Sequence, residues 1–296
     1  MRRLKYFLML GFIFAVFSCC TSSSKKGNQG GKRSSSGKTL EVIIAADDDV
    51  YRGEVKEAVE ALFLKEQEML NQPEALFDIV RLPTTSVYNT DMFRVHRNIV
   101  IIDKNAENEN KVYLSKDKWA HPQVVVEFSV TNNQSFITLL NQHFEQIKDF
   151  FYEAEHARML RAYKGMENIK ITEQLKANFG FSLTMPQEYR LSILKDNFAW
   201  IRKEAKDFSI GVLIYTFPYT DSNVFNPDVI VKIRDNITKK YVAGPADGSY
   251  MTTEKRFGMM SKKIQFHDSF CSETRGLWKL EGDFIDRKST RLNSSH

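Results

Sequence analysis

Cysteine is scarce in this sequence. Only three occur in 296 residues, and two of them, Cys19 and Cys20, are neighbours near the start. Cys271 is therefore alone in the remainder, which excludes a disulfide framework there and leaves stability to an apolar core. Only one long apolar run is present, Tyr6 to Phe17, and its twelve residues are too few to span a bilayer. The patterns Gly-x-Gly-x-x-Gly, Gly-x-x-x-x-Gly-Lys, Gly-x-Ser-x-Gly and His-Glu-x-x-His are all missing, so dinucleotide binding, phosphate loops, serine hydrolysis and zinc proteolysis have no sequence handle. No cofactor and no metal site is expected, and an enzyme is the less favoured reading.

The start of the chain is informative by what it contains. Arg2, Arg3 and Lys5 precede the apolar run, and Val16-Phe17-Ser18-Cys19 closes it with a small residue and a thiol. This reads as an export signal over residues 1–18, cut before Cys19, with Cys19 as the lipid-attachment residue and Cys20 as the alternative. Several acyl chains on one cysteine give stable anchoring, because each buried methylene contributes about 0.8 kcal/mol. Residues 19–38 read as a flexible tether, since Thr21 to Lys38 holds Ser, Gly, Lys and Arg but no apolar side chain to offset ordering entropy. The residue after Cys19 is not Asp, and no acidic cluster follows. The expected address is the outer membrane on its periplasmic side, with the lipid anchor as the membrane contact.

The far end carries a different signal. Asp286 to His296 looks like a translated sequencing adapter, so residues 286–296 are expected to be an artefact and the natural chain to continue past Ile285. This bears on the charge. The formal +5 becomes about −5 for Thr39 to Ile285, once eight cations of the first 38 residues and two net positive charges of the tail are set aside. A mildly acidic body removes the electrostatic support for nucleic-acid binding.

Between these ends the pattern predicts an α+β protein of two modules, 39–164 and 165–285, with mostly antiparallel sheets and packed helices, joined by a long helix. Leu40 to Ala46, Phe77 to Leu82, Arg97 to Asp103 and Gln123 to Val130 read as strands. Val55, Ala58, Val59, Leu62 and Phe63 recur at helical spacing. Asn133 to Lys164 reads as one helix whose apolar stripe, Phe136 to Phe151, stops short of its end. Glu153, Glu155, His156, Arg158 and Arg161 make the second half polar, as in a helix leaving one core for another. Further on, Ile171 to Phe179 and Asn226 to Ile237 read as helices. Phe181 to Met185, Arg190 to Leu194, Asn197 to Arg202, Ile210 to Phe217 and Gly276 to Phe284 read as strands.

The segments Phe217-Pro-Tyr-Thr-Asp, Gly244-Pro-Ala-Asp-Gly-Ser-Tyr-Met and Glu273-Thr-Arg-Gly-Leu-Trp-Lys-Leu-Glu-Gly-Asp resemble a family of Bacteroidota lipoproteins, domain of unknown function 4837. The resemblance extends to Arg97-Asn-Ile, Ala120-His-Pro-Gln and the long helix, nearly the whole mature chain. It implies an envelope address and a longer C-terminus, but no catalytic residue.

Four constellations merit weighing. Asp47, Asp48 and Asp49 could hold a hard cation, but the alternation of a calcium loop is absent and turn and capping chemistry is favoured. Glu153 and His156 have metal-ligand spacing on a helix without the second pair such sites need, so a solvated face is favoured. His267 and Cys271 could pair as base and thiol, but a free core thiol is the simpler reading. Tyr219, Asp221, Arg275, Trp278 and Asp283 form the candidate binding face, for an envelope protein, peptide or glycan, if their strands pair. The alternative is a periplasmic hydrolase that uses Asp49, Asp221 and Asp283, with or without a metal.

Overall fold

A computed structural model describes residues 32–70, 72–206, 208–266, 268–283 and 291–292. The export signal, Cys19, Cys20, most of the tether, His267 and most of the tail lie outside the described residues. The first half runs β1 (Arg33–Ser34), β2 (Glu41–Ala45), α1 (Glu54–Phe63), β3 (Asp78–Leu82), α2 (Thr84–Asn89), α3 (Asp91–Arg94), β4 (Asn98–Lys104), β5 (Lys111–Lys116), β6 (Ala120–His121), β7 (Val124–Val130) and α4 (Asn133–Tyr163). The second half runs α5 (Ile169–Phe179), β8 (Arg190–Lys195), β9 (Phe198–Glu204), β10 (Ser209–Tyr215), the 3-10 turn η1 (Ser222–Phe225), α6 (Pro227–Tyr241), β11 (Tyr250–Phe266), β12 (Ser269–Glu281) and β13 (Arg291–Leu292). This is the α+β class, with antiparallel pairing throughout the two main sheets of the second half.

The sheet of the first half differs from that pattern. Its order is β3-β2-β4-β7-β5, and β2, β3, β4 and β7 run parallel while only the edge strand β5 is antiparallel. Parallel return needs a crossover, which α1 supplies between β2 and β3 and α2 with α3 between β3 and β4. Both faces are then covered, which is why the strand sequences are nearly continuous apolar runs. Val42, Ile44, Val100, Ile102, Val124, Val126 and Phe128 pack against α1 and α4. Ile43, Ala45, Ile99, Ile101 and Val125 face the other way, onto Val87 of α2, Phe93 of α3 and Trp119.

The long helix α4 is set by its first residues, where the Asn132 side chain accepts the Ser135 N–H at 2.9 Å. Phe136, Leu140, Phe144, Ile147 and Phe151 are buried at steps of four, four, three and four. The expectation of a polar second half that leaves the core is corrected here. The same steps lead on to Glu155 and Arg158, both buried, so the stripe continues with a change of chemistry. It reaches the amino ends of the strands, where charged and amide groups can meet backbone.

In the second half, Ile171 and Leu175 of α5 pack on Ala199, Ile201, Val212 and Ile214 of the β8–β10 sheet. The expected strand Phe181 to Met185 is irregular instead, because its carbonyls are used locally: Leu183 accepts from the Thr172 hydroxyl at 3.1 Å and Met185 from the Asn168 N–H at 2.7 Å. The strand expected at Gly276 begins earlier, at Ser269, as one arm of a long hairpin whose other arm, β11, carries no alternating apolar pattern. Four residues, Lys255 to Gly258, are looped out where the register shifts between Glu254 and Met259.

Candidate functional site

Open parallel sheets take ligands at the carboxyl ends of their strands, where the strand order reverses. Here that point lies between β2 and β4 and holds Asp47, Asp48 and Asp49. Each acid is engaged. Asp47 Oδ1 accepts the Thr84 N–H at 3.1 Å, so it serves the start of α2 rather than the helix that follows it in sequence. Its carbonyl accepts from Val50 and Tyr51 to close the turn. Asp48 pairs with Arg81, and Asp49 lies 3.6 Å from Lys104 Nζ. Among the described residues no group of three or more His, Cys, Asp or Glu is placed to hold a metal.

The opposite, amino edge holds a buried polar cluster. Glu155 Oε1 accepts from Asn98 Nδ2 at 2.9 Å and pairs with Arg158 at 2.9 Å, while Oε2 accepts from Arg97 at 3.0 Å. Arg158 also donates to Asn98 Oδ1 at 3.0 Å and to the carbonyls of Arg97 at 2.9 Å and Pro122 at 3.2 Å. Burial pushes the Arg158 guanidinium below its ordinary pKa, and the adjacent Glu155 opposes that shift. His96 lies between the Asn98 carbonyl at 2.9 Å and Glu41 at 3.2 Å. Gln123 bridges the carbonyls of Arg94 and His96, each at 2.7 Å. Every member has at least one protein partner, so this cluster fixes helix to sheet.

The second half presents exposed aromatic rings in series. Tyr219, 66% exposed, stands 5.8 Å from the Phe225 ring, and Phe225 meets Phe270, 53% exposed, edge-on at 4.7 Å. The backbone that carries them is held locally. Asp221 accepts the Asn223 N–H at 2.9 Å to cap η1, and the Ser272 hydroxyl donates to the Phe225 carbonyl at 3.2 Å. Phe217 stacks on Tyr215 beside this row.

The five residues of the expected binding face are not brought together. Tyr219 and Asp221 lie at the Phe270 end of β12. Asp283 is thirteen residues further along, about 40 Å at the rise of an extended strand. Alternation along β12 also puts Arg275 and Trp278 on opposite faces. Arg275 joins Lys262 around Glu273, whose carboxyl burial would raise but those two cations hold below the usual range. Trp278 lies across from Thr253, on the face where Arg234 and Asp235 of α6 bond Thr253 at 2.9 and 2.7 Å. Nothing in the sequence marks Phe225 and Phe270 as neighbours, because they meet only where η1 lies against β12.

Glu153 and His156 are both exposed on α4, and Cys271 is half-buried opposite Ile264. Asp49, Asp221 and Asp283 line neither of two shallow depressions, of about 540 and 410 Å³. One lies along α4 at Gln146, Asp149 and Glu153, the other beside α5 at Lys170, Gln174 and Arg190.

Fold and surface together define a two-part α+β protein with an aromatic surface on its second part. Residues 168–286 match the family described as Domain of unknown function (DUF4837), and residues 35–164 match another, Domain of unknown function (DUF8532). The first match holds Phe217 to Asp221, Gly244 to Met251 and Glu273 to Asp283. Arg97-Asn-Ile, Ala120-His-Pro-Gln and α4 fall in the second, so the likeness to DUF4837 is narrower than the sequence motifs imply. Comparison with curated proteins and with solved structures gave no match.

Proposed function

We propose that this chain is a lipid-anchored protein of the bacterial envelope that binds an envelope protein, peptide or glycan without chemistry of its own, using the surface of Tyr219, Phe225 and Phe270. Cys19 is the anchor and the periplasmic side of the outer membrane the address. The observation that carries the reading is a row of three rings, Tyr219 and Phe270 exposed on either side of the half-buried Phe225, on a locally braced backbone. Rings of this kind give a binder large contact area at low entropic cost. The hydrolase reading draws no support from Asp49, which is paired with Lys104, or from Asp221, which caps η1.

The test is crosslinking of the full-length protein in its native membrane followed by recovery of partners, beside Cys19→Ala and a Tyr219→Ala/Phe270→Ala double variant. The expected result is an envelope component recovered with the parent, lost with the double variant, and reduced when Cys19→Ala releases the protein from the membrane. Recovery unchanged by the double variant would overturn the surface. A Cys19→Ala protein still in the membrane fraction would overturn the anchor, and hydrolysis of an envelope substrate by the purified protein would overturn the non-catalytic reading.

A further inference from the structure

The sheet of β8, β9 and β10 has two edges, and they differ. β8 is protected in the usual ways: it carries Arg190 and Lys195 and a register irregularity between Leu191 and Ile193. β10 has none of these devices. From Phe208 to Phe217 there is no charge, no proline and no bulge, and Phe208, Ile210, Tyr215 and Phe217 are exposed. The bonds Ala205 N–H to Phe208 carbonyl and Thr216 N–H to Asn197 carbonyl show that even-numbered residues face β9. The backbone groups of Ser209, Gly211, Leu213 and Tyr215 therefore point outward, and no segment among the described residues bonds them.

We infer that this edge is a self-association site, at which β10 pairs antiparallel with β10 of a second copy about a two-fold axis at Val212. This goes beyond the binding surface proposed above and does not depend on it. Centred on Val212, the pairing sets Gly211 against Leu213 and Ser209 against Tyr215, a small residue opposite a large one at each hydrogen-bonded position. On the other face it sets Ile210 against Ile214, β-branched pairs that continue the layer where Val212 and Ile214 pack on α5. The absence of charge along the strand removes like-charge repulsion, which would otherwise penalise identical strands most. Because β8 is protected, pairing closes at two copies in a six-stranded sheet and does not propagate. An interface of one strand is small, so the dimer is concentration-dependent and gains from the high local concentration of a shared membrane.

The test is oxidative crosslinking of the full chain carrying Val212→Cys. At a non-hydrogen-bonded antiparallel pair the Cα atoms are about 4.5 Å apart, within disulfide range. Ser192→Cys on β8 is the control, so Cys19, Cys20 and Cys271 are common to both chains. The expected result is a disulfide-linked dimer that forms at least tenfold faster for Val212→Cys than for Ser192→Cys. Adding the exposed Ile210→Lys should slow it at least tenfold with the circular dichroism unchanged. Equal rates for the two cysteines, no effect of Ile210→Lys in a folded protein, or a Val212→Cys adduct with a different protein would each overturn the assignment.

Discussion

Replacing Glu155 by alanine should unfold the first half far more readily than its position on an apparently polar helix end suggests. The side chain is 7% exposed and is the only carboxylate bonded to Arg97 and Arg158 among the described residues. Its removal leaves Arg158, 8% exposed, beside Arg97 with no bonded carboxylate, and strips Asn98 of one acceptor. Breaking a buried pair by removing one partner costs about 3–5 kcal/mol, because the remaining charge stays desolvated. Arg97 is 21% exposed and can turn to water, so the lower figure of about 3 kcal/mol is the better estimate. The assay is hydrogen exchange read segment by segment. Amides of β4 that exchange only through opening of the first half should lose roughly a hundredfold in protection, since about 1.4 kcal/mol is a factor of ten. His156→Ala, one residue away and exposed, should stay within about 0.5 kcal/mol of the parent. A change of less than threefold for Glu155→Ala would refute the reasoning, because it would mean water already reaches the cluster.

Other consequences can be checked singly. Hydrogen bonds from the Arg256 side chain and backbone hold the Glu254 carboxyl at about 2, below its ordinary 4.5. A folded value below the unfolded one gives stabilisation that is complete above about pH 4.5 and lost as the pH falls toward 2, so a carboxyl NMR titration should show Glu254 titrating well below an ordinary glutamate and Arg256→Ala moving it upward. An unshifted Glu254 in the parent would sink this. Gly37 has φ of 109°, and an added Cβ would stand 2.3 Å from His96 Nε2. Gly37→Ala should therefore displace His96 from Glu41 and cost about 1–3 kcal/mol, measured as faster exchange in β2. In urea titrations, Phe270→Ala should lose about 0.5–1.5 kcal/mol for its ring pair with Phe225, whereas Tyr219→Ala should lose under about 0.5. A larger loss for Tyr219 would make it structural and remove it from the binding surface.

Strand positions were legible where burial on one or both faces writes itself into sequence, as at Glu41–Ala45, Asn98–Lys104 and Val124–Val130. Their continuous apolar character was also the signal for parallel pairing. The sequence does not make that pairing explicit, because the crossover between β3 and β4 is two short helices, of six and four residues, too brief for a periodic pattern. β11 was invisible for the opposite reason: from Lys255 to Phe266 most of its side chains are exposed, so no alternation is required of them. The buried Glu155 and Arg158 had a signal in spacing, since 151, 155 and 158 continue the steps of the stripe, but composition argued for solvent. The neighbourhood of Tyr219, Phe225 and Phe270 carries none, because Phe270, 45 residues beyond Phe225, reaches it only through the hairpin.

The way α4 ends bears on how the two halves share stability. A helix whose polar last turns stood free would couple two cores through one rigid rod. Here those turns are tied back to Arg97, Asn98 and the Pro122 carbonyl, and the helix stops at Tyr163, two residues before Gly165 at φ of 84°. The core clusters around α4 draw on residues up to 154, and that of the β8–β10 sheet begins at Ile171, with no side chain in common. Cooperativity follows shared buried contacts, so two unfolding transitions are expected in calorimetry rather than one. Glu155→Ala should lower the midpoint of one transition and leave the other in place, and the transition that moves should be the one in which β4 loses protection. A single transition that shifts as a whole would show that contacts outside these clusters carry the coupling, and would move the seat of stability from the cores to the junction after Tyr163.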